Sequence, residues 1–289
     1  MTGRVLAIHR FPVKSMLGET VAATELDASG LVGDRAYALI DSATHKVASA
    51  KHPDLWSGLL GLRAAFVGEA KRGAPITVRL ADGTTVRSDD VDVHQRLSQA
   101  VGRAVQLATA PAPGAAYDDV WPEVEGLAPQ AFIDGTRSGV SAAGRPISTL
   151  PVGALAPGTF QDLAPVTLMT TATLRAASRL YPTGRWDSRR FRANLIVDVD
   201  ADGFVENHWS GRQLTIGDIV LQVLSPTPRC VMTTLAQEDL PADPGILRTV
   251  ARHNRLEIAA AGGAFACLGT YAQVVQAGRV TVGSSVGFV

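Results

Sequence analysis

Ser225-Pro226-Thr227-Pro228-Arg229-Cys230-Val231-Met232-Thr233-Thr234, SPTPRCVMTT, closes an apolar strand-like run, DIVLQVLSPT. It also holds one of the chain's two cysteines, directly behind an arginine and among turn residues. Two readings of that thiol stand open. A thiolate is the reactive and metal-binding form of cysteine, and an adjacent cation such as Arg229 lowers the pKa of a thiol that Pro226 and Pro228 would present on a stiffened turn. The other reading is a small buried hydrophobe, the commoner fate of a free cysteine. On either reading a strand ends here, and the segments on both sides of it set the architecture.

Working outward, residues 145–289 read as one unit. APVTLMTTATLRAASRLYP is a strand entering a helix capped by Thr170 or Thr171, FRANLIVDVD is a strand, and QLTIGDIVLQVLS is two strands about a Gly-Asp turn. DPGILRTVARHN is a short helix with Asp243 as N-cap and Pro244 at its first position. AFACLGTYAQVVQAGRVTVGSSVGFV is a run of strands with Gly turns, and Cys267 within its apolar pattern reads as structural. Residues 111–144 fall in a Pro/Gly/Ala-rich stretch that extends to 158, which predicts irregular structure, a linker or a functional loop. Residues 1–110 read as a smaller unit of strands and turns. It contains the strand RVLAIHRFPV, a hairpin turning at Asp82-Gly83, a helix DVHQRLSQAVG capped near Ser88 or Asp89 and stopped by Gly102, and the strand AVQLAT. Many strands and few helices predict a strand-rich α+β fold: barrel-like β units with helices packed outside.

At 289 residues two packed units are the better prior. Formal net charge is zero, which gives no handle for nucleic acid or an anionic membrane, and no apolar run approaches the roughly 20 residues of a membrane span. The N-terminal MTGRVLAIHRFPVKS lacks a signal-peptide core, and two cysteines without a CxxC suit a reducing compartment, so a cytoplasmic protein is expected.

Six scattered histidines with no HxxxH pair make a closed zinc site a poor explanation of Cys230, and two cysteines exclude an iron–sulfur cluster. A Cys-His hydrolase stays open, since the partner need only be near in space. Three cationic groups stand out: Lys14 and Ser15 in FPVKSMLGE, Arg35 in GLVGDRAY, and Arg189, Arg190 and Arg192 in DSRRFRANLIV. Singly each reads as solvated surface; together they could form an anion pocket, by fork and point charge and without a P-loop or Rossmann turn.

FPVKS, GDRAY, FRAN at 191–194, RCVMTT at 229–234 and LGTYAQV at 268–274 occur in an order and spacing that resembles MOSC proteins carrying an N-terminal MOSC β-barrel domain. This is the group of the mitochondrial amidoxime-reducing component and its bacterial relatives, similar also to the C-terminal part of molybdenum cofactor sulfurase. The resemblance covers nearly the whole chain and is weakest at 111–158. It implies a molybdenum-pyranopterin cofactor between the two units, with Cys230 as the metal ligand. It implies cofactor-binding roles for Lys14, Ser15, Arg35, Asp162, Arg192, Arg229 and Tyr271, and carries a family-level association with pyridoxal phosphate. The chain departs at Pro228, where the reducing-component proteins often have Ser, so that position offers neither a hydroxyl nor an amide donor. One presented thiolate is what a dithiolene-bound metal would still need.

The implied activity is an oxidoreductase that reduces small N-hydroxylated or N-oxygenated substrates. The rivals are a non-catalytic carrier of the cofactor or of sulfur on the same cysteine, and a cofactor-free Cys-dependent enzyme. The chain has no cluster-forming cysteine set, no GxGxxG turn and no CxxCH haem site, so electrons are expected from a separate protein, a ferredoxin or a haem protein with its reductase.

Overall fold

The computed structural model describes residues 2–289. Seven strands close a barrel: β1 (Gly3–Arg10), β2 (Val166–Thr170), β3 (Leu195–Val199), β4 (Gln213–Ile216), β5 (Ile219–Pro228), β6 (Gly263–Gln276) and β7 (Ser285–Phe288). Around the barrel the order is β2-β3-β1-β7-β4-β5-β6, and β6 pairs back onto β2. The two-residue period of each strand sends alternate side chains inward. Leu214 and Ile216, Leu221 and Val223 accordingly meet in one apolar core, where Val5 and Ile8 join them across a register shift between Val5 and Ala7. The β2–β3 pair is parallel. Parallel neighbours cannot share a tight turn, and the crossover is the helix Thr171–Leu180. Thr170 Oγ1 accepts from the Thr173 N–H at 3.1 Å, which makes it the expected cap.

β1 lies within the first unit as read from sequence, yet it pairs with β3 through Gly3↔Val199 and Val5↔Val197, and with β7 through Gly3↔Val286. A β-branched apolar run predicts a strand but says nothing of which sheet receives it. The strand Ala23–Asp27 likewise pairs with Gly278–Thr281, so the chain crosses between its units more than once.

In the rest of the first unit, Arg63–Phe66, Ile76–Arg79 and Thr85–Arg87 form an antiparallel meander, and Ala38–Asp41 pairs with Val105–Ala108. Tyr37, Leu39, Trp56, Leu62, Ile76 and Leu97 fill its core. The helix there is Val93–Val101, ending at Gly102, and its N-cap position is Asp92 rather than Ser88 or Asp89. Ser88 Oγ is already taken, accepting from the Ile76 N–H at 3.0 Å, and Asp89 pairs with Arg87.

Residues 111–158, expected to be irregular, contain an antiparallel sheet of Ala116–Val120, Pro146–Pro151 and Arg137–Val140, with a short helix Gln130–Thr136. AYDDV does alternate, with Tyr117 and Asp119 buried. A carboxylate at the buried position hid the strand. The architecture is strand-rich α+β, and among the described residues no helix is long and apolar enough to cross a membrane.

Candidate functional site

The presentation of Cys230 begins with a bulge. Between Pro226↔Thr270 and Pro228↔Cys267, Thr227 on β5 faces two residues of β6, Leu268 and Gly269. Gly269 sits at φ +76°, and a Cβ there would lie 2.6 Å from the Leu168 carbonyl oxygen and 3.1 Å from the Arg229 guanidinium. Only glycine suits that backbone. Arg229 Nε donates to the Leu268 carbonyl at 2.7 Å and Nη1 to the Phe191 carbonyl at 2.9 Å. Its guanidinium therefore ties backbone segments together. Cys230 follows as the N-cap residue of the 3-10 turn Val231–Thr234, with its thiol free and half-buried.

The thiol opens on a cleft of about 680 Å³, its solvent-open mouth included, and all eight residues singled out by the resemblance line it. Lys14, 4% exposed, donates to the Phe160 carbonyl at 3.0 Å and to the Asp162 carboxylate. Ser15 Oγ accepts from the Ala50 N–H at 3.0 Å. Arg35 and Arg192 flank the Phe11 ring at 4.7 and 4.2 Å, and Arg35 Nη2 donates to the Arg192 carbonyl at 3.2 Å. Tyr271 lies on β6 opposite Ser225 and Thr167. Among the described residues five non-glycines have left-handed φ, and Ser15, Arg35 and Arg192 of these line the cleft. Such conformations cost about 1–3 kcal/mol each and gather where function holds them.

Three further residues form a network at the cleft, Lys51 in its lining and the buried Tyr117 and Asp119 bonded to it from outside that lining. Lys51 Nζ lies 3.1 Å from Asp162, 3.3 Å from Asp119 and 3.1 Å from the Tyr117 hydroxyl. Sequence reasoning missed all three. SAKHPDLW carries no motif, whereas the alternation of AYDDV was a usable signal for Tyr117 and Asp119.

Burial opposes the Asp162 charge, but Lys14 and Lys51 outweigh it and hold the carboxyl well below the usual range. Burial pushes Lys14 down to about 8 against the pull of Asp162. Lys51 feels the same burial, yet Asp162, Tyr117 and Asp119 carry its pKa above the ordinary value. Burial, with Arg35 nearby, lowers Arg192 to about 9, and burial raises Tyr271 to about 12. Cys230 differs from expectation. Burial raises it to about 11, and the cation that opposes this is Lys51 rather than Arg229, whose guanidinium is turned to the carbonyls.

Of the arginine trio, Arg192 alone has a buried nitrogen without any hydrogen-bond partner, its Nη2. Arg190 is spent on the carbonyls of Arg185, Thr233, Leu235 and Pro241, and Arg189 pairs with Asp187, Glu238 and Asp239 at the surface. Among the described residues no group of three or more His, Cys, Asp or Glu side chains is placed to hold a metal ion. A metal at Cys230 would have to bring its other ligands with it.

Residues 2–106 match the family model of the MOSC N-terminal beta barrel domain, and residues 157–287 match that of the MOSC domain. Tyr117 and Asp119 lie between the two matches. Among solved structures, the YuaD protein of Bacillus subtilis aligns over 99% of this chain and 94% of its own, at 10% identity and a TM-score of 0.46. YiiM of Geobacillus stearothermophilus aligns over 44% of this chain and 54% of its own, at 17% identity and a TM-score of 0.29. YiiM of Escherichia coli aligns over the same shares at 15% identity and a TM-score of 0.30. No curated protein matches the chain.

Proposed function

Because the chain belongs to the MOSC family, with a MOSC N-terminal β-barrel domain ahead of its MOSC domain, we propose that it binds a molybdenum cofactor in the cleft and reduces N-hydroxylated compounds. The observation that supports this reading is one free thiol set in a wall that is otherwise rich in cations and holds an unpartnered guanidinium N–H. Those residues fit an anionic, metal-bearing group. Cys230 would ligate the metal, a soft sulfur on a soft-ligand ion. Arg192, Arg35, Lys14 and Ser15 would take the anionic and polar edges of the cofactor.

When bound, the cofactor supplies two-electron removal of oxygen from an N–O bond. The chain's own groups suit a reaction that consumes protons: R–NHOH, two electrons and two protons give R–NH2 and water. Lys51 Nζ and the Tyr271 hydroxyl line the cleft and keep their protons at neutral pH, so it offers donors. The Cys230 thiol, at about 11, is a poor nucleophile by itself. That weighs against a cofactor-free cysteine enzyme. Electrons would come from a separate ferredoxin or haem protein that docks transiently.

The test is production in a cofactor-making host, followed by molybdenum and pterin analysis and an assay of hydroxylamine reduction with a low-potential dye. Roughly one molybdenum per chain with turnover is expected. Folded protein free of metal and pterin overturns the reading, and loaded but inactive protein points to a carrier.

A further inference from the structure

We infer that Thr227 is a ligand-contacting residue, its hydroxyl donating to a phosphate-type oxyanion that Arg192 also holds. Thr227 is 2% exposed, and its Oγ1 is buried without a hydrogen-bond partner. Yet it lines the cleft. Orphaned hydroxyls are not the habit of this fold: Thr170 and Thr173 bond Glu206, Thr233 bonds the Cys230 carbonyl, and Thr270 bonds the Ser225 carbonyl. A buried polar group left unmatched calls for a reason.

The backbone supplies one. Pro226 and Pro228 flank Thr227 and carry no N–H, so this end of β5 has lost two donors. The register skips Thr227, and the bulge opposite it sets where its side chain goes. The hydroxyl is thus the side-chain donor that the Pro-Thr-Pro segment offers from its middle, beside the Thr227 N–H. Arg192 Nη2, buried in the wall of the same cleft, is the second orphan. Two donors, one of them cationic, ask for an oxygen-rich anion. A neutral acceptor would leave the buried guanidinium charge uncompensated.

The oxyanion could belong to the cofactor, in which case the inference rests on the function proposed above, or to an anionic substrate. Titration calorimetry with inorganic phosphate, on protein made in a host that lacks the cofactor, separates the site from that question. Thr227→Val keeps the shape and should weaken phosphate binding about tenfold, while Thr227→Ser stays within about threefold of wild type. Unchanged affinity in Thr227→Val overturns the inference, as does wild-type protein that fails to bind phosphate at millimolar concentration. In a cofactor-making host, reduced pterin content in Thr227→Val assigns the oxyanion to the cofactor. Full pterin content, with phosphate competing against substrate, assigns it to the substrate. Wild-type protein without molybdenum would remove the proposed function and leave the phosphate result standing.

Discussion

Lys51 Nζ lies 3.1 Å from Asp162 Oδ2, and Lys14 takes the other oxygen of the same carboxylate. Two ammonium groups of the first unit thus clamp one acid at the edge of the second. Lys51 also meets Asp119 at 3.3 Å, so it ties the middle sheet to the wall of the cleft.

Lys51→Met should therefore destabilise the fold by about 3 kcal/mol, because Asp119 would be left buried and unpaired. The lower end of the usual range applies, since the Asp162 side chain is 33% exposed and can recruit water. Urea unfolding measures it, and Lys51→Arg should recover most of the loss.

Lys14 predicts a pH dependence. Burial, together with Lys51 and Arg35, lowers its pKa to about 8 from the ordinary 10.5, against Asp162. The unfolded chain then binds more protons than the folded one between those values, so this residue's contribution to stability rises with pH from about 8 to 10.5. Lys14→Met should flatten that part of a melting-temperature profile. Phosphate affinity should move the other way, falling as pH passes about 8 and the cleft loses a charge.

Cys230→Ser should abolish molybdenum retention and leave the melting temperature near wild type, because the side chain is half-buried at the start of a 3-10 turn. Cys267→Ser should keep the metal but lose about 1–3 kcal/mol, since residue 267 is fully buried. Metal content beside thermal unfolding decides the assignment, and the reversed pattern would refute it.

Gly269→Ala should cost about 2–4 kcal/mol, from left-handed backbone plus the contact with the Leu168 carbonyl. The insertion also displaces the Arg229 guanidinium, so cofactor retention should fall with stability. An Arg229→Lys variant, with the bulge intact, should lose retention with a smaller change in unfolding.

Loaded protein given NADH or NADPH alone should not turn over, while a low-potential dye should support turnover. Oxidation of NADH without a second protein would expose a nicotinamide or flavin site in the chain.

What the sequence carried was local. The Asp243 cap, the Thr170 cap and the Gly102 stop each depend on a few neighbouring residues, and the structure places them as expected. The eight cleft residues were found through the resemblance, all but Asp162 within its ordered short motifs, and they line one cleft. Lys51 was not legible, and the alternation of AYDDV could have given Asp119 only its buried strand position, because their meaning is a charge pair across three segments. Arg189 looked like Arg192 from sequence. It differs in lying at the surface with Asp187, Glu238 and Asp239 within reach, whereas Arg192 is buried.

The place of β1 in the barrel has a consequence for biosynthesis. Gly3 leaves the ribosome well before its neighbours in the wall, Val199 and Val286. Beyond its local pairing of Ile8–Arg10 with Glu19–Val21, the first strand must wait for its barrel neighbours through nearly the whole polypeptide, and closure over so long a loop is slow. Nascent chains should rely on chaperone cover for that interval. The same geometry makes a fragment beginning at residue 157 an open sheet with a vacant slot, into which a synthetic peptide of residues 2–11 would insert, restoring the barrel by complementation in trans.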